Sequence, residues 1–472
     1  MTNIIVILFL FGYFLITMEN KFKISKTAIA LLLGVLCWAL YMTTCSTYIE
    51  TQHTADYTAW QHQFATNEIP SASTYVVNKL FLSHIGDIAE ILFFLMGAMT
   101  IVEVVDYNGG FDFVRERLYT KNMKTLLWRI SFMTFFLSAI LDNLTTSIII
   151  IMILRKLIHN HETRMLYAGI IILAANAGGA FSPIGDVTTI MLWIKGNITS
   201  NGIIKALFLP SVLSIVIPIL FIQHKLKKDT TEITNDKLKT LDAPIPFFSP
   251  TERKLIFYVG VFGLILVPVF RNLTNLPPVM GVLFILSILW ILTEIFYRRH
   301  KEFIKNSPSY RVSDVLHHID LSTILFFLGI LMAVAAIEET GALRTFGNYL
   351  VNVTHNNSYL VTGTIGLASS VIDNVPLVAS GIGMYHTVSI AQVAANPELQ
   401  NFMVDGTFWQ LLTFCAGTGG SILIIGSAAG VVVMGMEHIS FGWYLKNISL
   451  LALSGFITGM ICYWLEKTYI FC

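Results

Sequence analysis

The stretch "FLSAILDNLTTSIIII", residues 136–151, sets an aspartate and an asparagine, Asp142 and Asn143, inside a run apolar enough to enter a lipid bilayer. The chain does so again at residues 366–381, "GLASSVIDNVPLVASG", with Asp373 and Asn374. A charge at the bilayer centre costs roughly 2.5–3.5 kcal/mol even on the lenient insertion scale. Two such pairs in one chain call for a common cause.

The bilayer is the right solvent for this chain. Hydrophobic residues make up 55% of it and charged residues 12%, against about 25% charged in a soluble domain. Apolar runs long enough for a spanning helix recur at Asn3–Met18, Thr27–Thr47, Ile85–Val105, Ile203–Ile222, Leu255–Phe270, Pro278–Tyr297, Leu321–Glu339 and Phe441–Leu465. The expected class is an all-α, multi-pass integral membrane protein with the lipid bilayer as its first partner. The amino-terminal run lacks a basic region and a small-residue cleavage site, so it reads as an uncleaved span. A net charge of +1 gives no pull towards nucleic acid. The cysteines Cys37, Cys45, Cys415, Cys462 and Cys472 have no metal or redox spacing and read as buried thiols.

The chain also repeats itself. "DIAEILFFLMG" (Asp87–Gly97) matches "DLSTILFFLGI" (Asp320–Ile330), "SAILDN" (Ser138–Asn143) matches "SSVIDN" (Ser369–Asn374), and "NAGGAFSPIGD" (Asn176–Asp186) matches "GTGGSILIIGS" (Gly417–Ser427). The basic residues, which mark cytoplasmic loops, then give the orientation. Arg115, Arg117, Lys121, Lys124 and Arg129 precede the first Asp-Asn run, and Arg155, Lys156 and Arg164 follow it. Both ends of that run are therefore expected inside, with too little chain between them for two crossings. It reads as a re-entrant helical hairpin with Asp142–Asn143 near its tip. Alternation puts both termini outside and makes the second hairpin enter from outside. The expected organisation is a first repeat at 1–226 (hairpin about 125–158, broken helix about 166–195), a cytoplasmic linker at 227–253, and an inverted second repeat at 254–472 (hairpin about 357–391, broken helix about 408–436). Each repeat would hold about five transmembrane helices, one of them broken, plus the hairpin.

This arrangement explains the polar pairs. Irregular backbone survives at membrane depth only where protein buries it or it lines a cavity. Gly178, Gly179, Pro183 and Gly185 interrupt one helix, and Gly417, Gly419, Gly420 and Gly426 the other. Around these breaks lie Ser138, Asp142, Asn143, Thr145, Thr146, Asn176, Ser182, Asp186, Thr188 and Thr189, with Ser369, Asp373, Asn374, Thr418, Ser421 and Ser427 from the second half. The set is rich in oxygen and has neither thiolate nor imidazole, which suits a hard cation such as sodium. Desolvation raises a carboxylate's proton affinity and a bound cation lowers it, so proton and cation compete for one group. The second half has Gly417 and Ser427 where the first has Asn176 and Asp186, which biases the anionic site towards Asp142 and Asp186, with Asp373 a third acid.

The motifs "SAILDNLTTSI", "NAGGAFSPIGDVTT", "SSVIDNVPLVASGIGMY" and "TGGSILIIGSAAG" resemble NhaD-type sodium/proton antiporters of the ion-transporter superfamily. The resemblance implies exchange of Na⁺ or Li⁺ for H⁺, no cofactor, and a homodimer whose transport domain moves against a scaffold. It carries over to Ser138, Asp142, Asn143, Thr145, Asn176, Asp186, Thr188, Thr189, Ser369, Asp373, Asn374 and Ser421, with the sodium expected at Asp142, Asn143, Asn176, Asp186 and Asn374. The setting expected is a bacterial inner (plasma) membrane, and the protein a transporter rather than an enzyme.

Plainer readings stand beside these. Membrane serines and threonines often bond to backbone. Asp142 and Asp186 would also serve as helix caps, although neutral Asn or Ser would cap at less cost. His84 and His317–His318 sit at membrane borders, where an ordinary interfacial histidine is favoured over a pH sensor. A related carrier of dicarboxylate, citrate or arsenite is the alternative transporter, but an anion site favours cationic or helix-end donors. An intramembrane aspartyl protease would need one acid dyad, which leaves the second hairpin unexplained.

Overall fold

Apolar length and the breaks within it decide the elements. The computed structural model describes residues 2–17, 23–63, 71–111, 120, 122–158, 160–225, 248–300, 315–319, 321–355, 357–424 and 426–470. Most of the expected linker, Arg115, Arg117, Lys121 and Asp320 lie outside the described residues. In chain order the helices are α1 (Thr2–Thr17), α2 (Lys26–Thr43), α3 (Cys45–Gln52), α4 (Thr54–Gln61), α5 (Ala72–Tyr107), α6 (Met123–Ser138) and α7 (Asn143–Leu157). Then come α8 (His161–Ala180), α9 (Val187–Ile194), α10 (Ser200–Lys225), α11 (Pro250–Thr274), α12 (Pro278–Arg299) and α13 (Leu321–Glu339). The last are α14 (Ala342–Thr354), α15 (Ser358–Ser369), α16 (Asn374–Met384), α17 (Ile390–Ala395), α18 (Thr407–Gly419), α19 (Ala428–Glu437) and α20 (Phe441–Tyr469).

The protein is an all-α integral membrane protein. Among the described residues, 7 helices are long and apolar enough to cross a bilayer: α2, α5, α10, α11, α12, α13 and α20. Among the described residues the amino-terminal run forms an apolar helix of 16 residues. Helices α7, α16 and α19 are shorter apolar pieces, each of which starts at a break in the chain.

The fold divides into two compact units. The first comprises Met1–Phe93, Asp320–Val361 and Val375–Phe402. Its centre is the crossing of α2 and α13, where backbones touch because glycine has no Cβ. A Cβ added at Gly329 would lie 2.5 Å from the Ala30 carbonyl carbon. Thr27 Oγ1 donates to the Ser322 carbonyl at 3.1 Å, and Trp38 Nε1 to that of Met332 at 2.9 Å. At the end of α13, Glu339 meets His53 Nε2 at 2.6 Å and His84 Nε2 at 2.7 Å. His84 is thus a member of a part-buried cluster, not a simple interfacial histidine. The sequence hides this because its carboxylate partner lies on a distant helix.

The second unit comprises Phe94–Ile319, Thr362–Asn374 and Met403–Cys472. Its core holds α8 and α18, which are buried on every face over Tyr167–Ala180 and Thr407–Gly419. A helix apolar all round belongs in such a place. Both end at breaks, and both breaks lie in this unit.

Candidate functional site

Close helix crossings place the breaks. A Cβ at Gly178 of α8 would come within 2.1 Å of the Phe135 carbonyl oxygen on α6, and one at Gly419 of α18 within 2.1 Å of the Gly366 carbonyl oxygen on α15. Hydroxyl bonds fasten the same crossings: Ser138 Oγ donates to the Ala175 carbonyl at 2.6 Å and Ser369 Oγ to the Ala416 carbonyl at 2.7 Å. The two serines therefore hold α6 to α8 and α15 to α18, at matching positions in the two sets of motifs.

The breaks converge on Asp186. This residue, 1% exposed, caps α9, and its Oδ1 accepts from Thr188 N at 3.0 Å. Its Oδ2 accepts from Asn143 Nδ2 at 2.7 Å and from Asn374 Nδ2 at 3.1 Å. Asn143 Nδ2 also reaches Asn176 Oδ1 at 3.1 Å. Asn176 Nδ2 in turn donates to Ser421 Oγ at 2.8 Å and Ser427 Oγ at 2.9 Å. A carboxylate accepts only, so Asn143 and Asn374 each turn a nitrogen towards Asp186. Hydrogen bonds to a charged group are the stronger kind, each about 1.5–3 kcal/mol.

The other predicted residues stand around this network. Asp142 is half-buried and caps α7, its Oδ1 accepting from Thr145 N at 2.8 Å and its Oδ2 from Thr145 Oγ1 at 2.7 Å. Its φ of 124° is a backbone conformation that L side chains rarely adopt. The charges of Asp373 and Asp142 both act on Asp186. Thr189 Oγ1 is turned onto the Asp186 backbone, donating to its carbonyl at 2.7 Å and accepting from its amide at 3.2 Å. Thr188 Oγ1 lies against the Asp186 carboxylate without a well-formed hydrogen bond, and Thr146 Oγ1 is buried without a partner. Ser182 donates to the Ala139 carbonyl at 2.5 Å and Thr418 to the Phe414 carbonyl at 2.5 Å, so both hydroxyls serve backbone.

Tyr444 went unnoticed in the sequence. It is fully buried and donates to the Ser421 carbonyl at 2.7 Å, holding in place a residue that receives Asn176. One aromatic residue in an apolar run carries no signal of such a contact.

The arrangement can cradle a small cation. Carboxamides and hydroxyls present either a donor or an oxygen, and half a turn of an asparagine side chain exchanges the two. Asp186, Asn143, Asn374, Asn176 and the hydroxyl of Thr188 thus supply hard oxygen ligands around one buried carboxylate.

The comparisons decide the family. A family model described as "Citrate transporter" matches residues 13–404. "Sodium/proton antiporter 2" of Arabidopsis thaliana is 40% identical over 97% of this chain and 98% of its own length. The chain belongs to the NhaD-type sodium/proton antiporter family, within the ion-transporter superfamily. "Sodium/proton antiporter 1" of the same plant is 41% identical, over 97% of this chain and 71% of its own length. "Na(+)/H(+) antiporter NhaD" of Vibrio cholerae is 28% identical, over 97% and 90%. A relationship over this length makes the polar breaks of this NhaD-type chain part of a whole transporter and not an isolated motif.

Proposed function

We propose that this chain exchanges Na⁺ or Li⁺ for H⁺ across a membrane by alternating access, with Asp186 as the carboxylate shared between cation and proton. The observation that carries the reading is the convergence of Asn143 and Asn374 on Asp186. Cation arrival turns the carboxamide oxygens inward and displaces the proton. Proton arrival neutralises the carboxylate and releases the cation. Asp142 and Asp373 act on the same centre and set its charge. The relatives are named as antiporters, which supports transport and gives no reason to look for an enzyme.

The reading includes two inverted repeats joined by a cytoplasmic linker, a homodimer, and a bacterial inner membrane as the setting. The matching roles of Ser138 and Ser369 support the repeats, and the bacterial relative supports the setting, while the plant relatives keep another energised membrane in play. Labelling of single cysteines from outside intact cells tests the topology. A cysteine at Asn356 should react and one at Asn235 should not; both positions lie outside the described residues.

The test of function is dequenching of a pH dye in inverted vesicles on adding NaCl, LiCl, KCl or choline chloride. A response to sodium or lithium alone is expected, and none to either would sink the reading. A second reading, citrate or dicarboxylate transport, draws on the name of the matching family model. Uptake of labelled citrate without cation-induced dequenching would establish it instead.

A further inference from the structure

Three of the helices that carry the network are tied a second time, at their other ends. Helix α7 starts at Asn143, α8 holds Asn176 near its end, and α19 follows directly on Ser427. At the far ends of all three stands Glu437, the last residue of α19, its side chain 0% exposed. Its Oε1 meets Arg155 Nε of α7 at 2.7 Å, and its Oε2 meets Arg164 Nε of α8 at 2.5 Å. The carbonyls at the end of α19, which have no partner within the helix, are also taken: Met436 O by an Arg155 guanidinium N–H, and Glu437 O by His161 Nε2 at 2.9 Å. From Ser427 to Glu437 the helix of 10 residues spans roughly 15 Å.

This second tie has a mechanical meaning. Chain continuity does not set the axial position of α19, because non-helical backbone precedes it at Ser427. Its register against α7 and α8 depends on the packing along its length and on what holds its two ends. One end is the bond from Asn176 to Ser427. The other is one carboxylate shared by two arginines. A buried carboxylate that loses an arginine partner leaves charge uncompensated, so the block resists sliding at that end. A slide of about 1 Å along the direction of that bond, 2.9 Å long, would take Ser427 out of hydrogen-bond range of Asn176.

We propose that Glu437 is a positioning residue for the Asp186 network: the Arg155–Glu437–Arg164 clamp holds α19 in the register that places Ser427 against Asn176, and so sets the strength of cation binding. The effect on sodium rests on the antiport reading; the effect on register does not.

The experiment separates the two. In protein carrying Asn176→Cys with Ser427→Cys, a short bifunctional thiol reagent should form a cross-link, and adding Glu437→Gln should slow it. In the otherwise unaltered chain, Glu437→Gln should raise the NaCl concentration for half-maximal thermal stabilisation of purified protein by roughly 2- to 30-fold, the range over which remote contacts modulate binding. Adding Arg155→Gln to Glu437→Gln should add less than the Arg155→Gln loss alone, since the two share one ion pair and only the Arg155 bond to the Met436 carbonyl is left to lose. Should Glu437→Gln fail to insert, Arg155→Gln leaves the Arg164 pair in place and should move both readouts in the same direction, by less. Unchanged cross-linking in whichever variant inserts overturns the clamp. Slowed cross-linking with an unchanged sodium midpoint overturns its link to cation binding. A wild-type protein that shows no sodium-dependent stabilisation counts against antiport, while the cross-link still decides the clamp.

Discussion

Asn374 donates its carboxamide to Asp186 at 3.1 Å although 188 positions separate the two in the chain. Asn143, from the first Asp-Asn break, donates to the same carboxylate oxygen at 2.7 Å. One acid therefore senses both Asp-Asn breaks, and Asp186 is a stronger candidate for the shared carboxylate than Asp142, whose hydrogen bonds to described residues stay within its own cap.

Asp186→Asn is expected to abolish cation-induced dequenching while the protein still inserts. Asparagine keeps the shape and can still accept from Thr188 N, so the cap of α9 survives, but it cannot titrate. Asp142→Asn is expected to weaken exchange and leave some of it. Near-normal exchange in Asp186→Asn, with insertion checked by blot, would move the coupling acid to Asp142 or Asp373.

Asn143→Ala and Asn374→Ala should each raise the half-saturating sodium concentration roughly 10-fold or more, since each removes an oxygen that the bound cation uses and a donor that holds Asp186 ionised against the proton, a bond worth about 1.5–3 kcal/mol. The double variant should cost less than the two losses added, because both bonds end on one oxygen. Strict additivity in vesicle titrations would mean that the two carboxamides work at separate places.

Ser138→Ala and Ser369→Ala should behave differently. Their hydroxyls are spent on the carbonyls of Ala175 and Ala416. Each variant should lose about 0.5–1.5 kcal/mol of stability with the sodium midpoint unchanged. A raised midpoint without lost thermal stability would put these oxygens on the cation.

The His53 cluster predicts a pH dependence outside the transport network. The hydrogen bond to Glu339 raises the His53 pKa, against the opposing effect of burial. Glu339 and Asp56 favour the imidazolium, Arg344 opposes it, and His84 shares the same carboxylate. Folded protein thus holds this proton more tightly than the unfolded chain does. The stabilisation is complete below the ordinary histidine value of about 6.5 and is lost as pH rises through the folded value. The Tm gap between wild type and His53→Gln should therefore narrow from pH 6 to alkaline pH. A constant gap would show that the contact works without charge.

The membrane class was legible because apolar length is a property of consecutive residues. The candidate site was legible because acids and amides among lipid-soluble residues need a reason. What escaped depended on neighbours far off in the chain. Thr189 looked like a ligand, yet its hydroxyl turns back on the Asp186 backbone, a choice made by the geometry of the break. Arg155 and Arg164 read as markers of the cytoplasmic side, yet both meet Glu437, which carries no mark of its own in the sequence. Tyr444 was one aromatic residue among many.

The backbone of Asp142 has a consequence for how the tips of the two Asp-Asn breaks differ. Its φ of 124° lies where side chains crowd the main chain, and among the described residues Asp373 does not share it. Such a conformation costs on the order of 1–3 kcal/mol, so the first tip is loaded like a bent spring while the second rests. Glycine at position 142 would let the spring go slack: Asp142→Gly should raise the Tm even as exchange falls, and Asp373→Gly should give no such gain. If both glycine variants lose stability alike, the tips are mechanically equal. If they diverge, part of the energy of folding is held at the first tip as tension, and any movement of that tip starts from a loaded position.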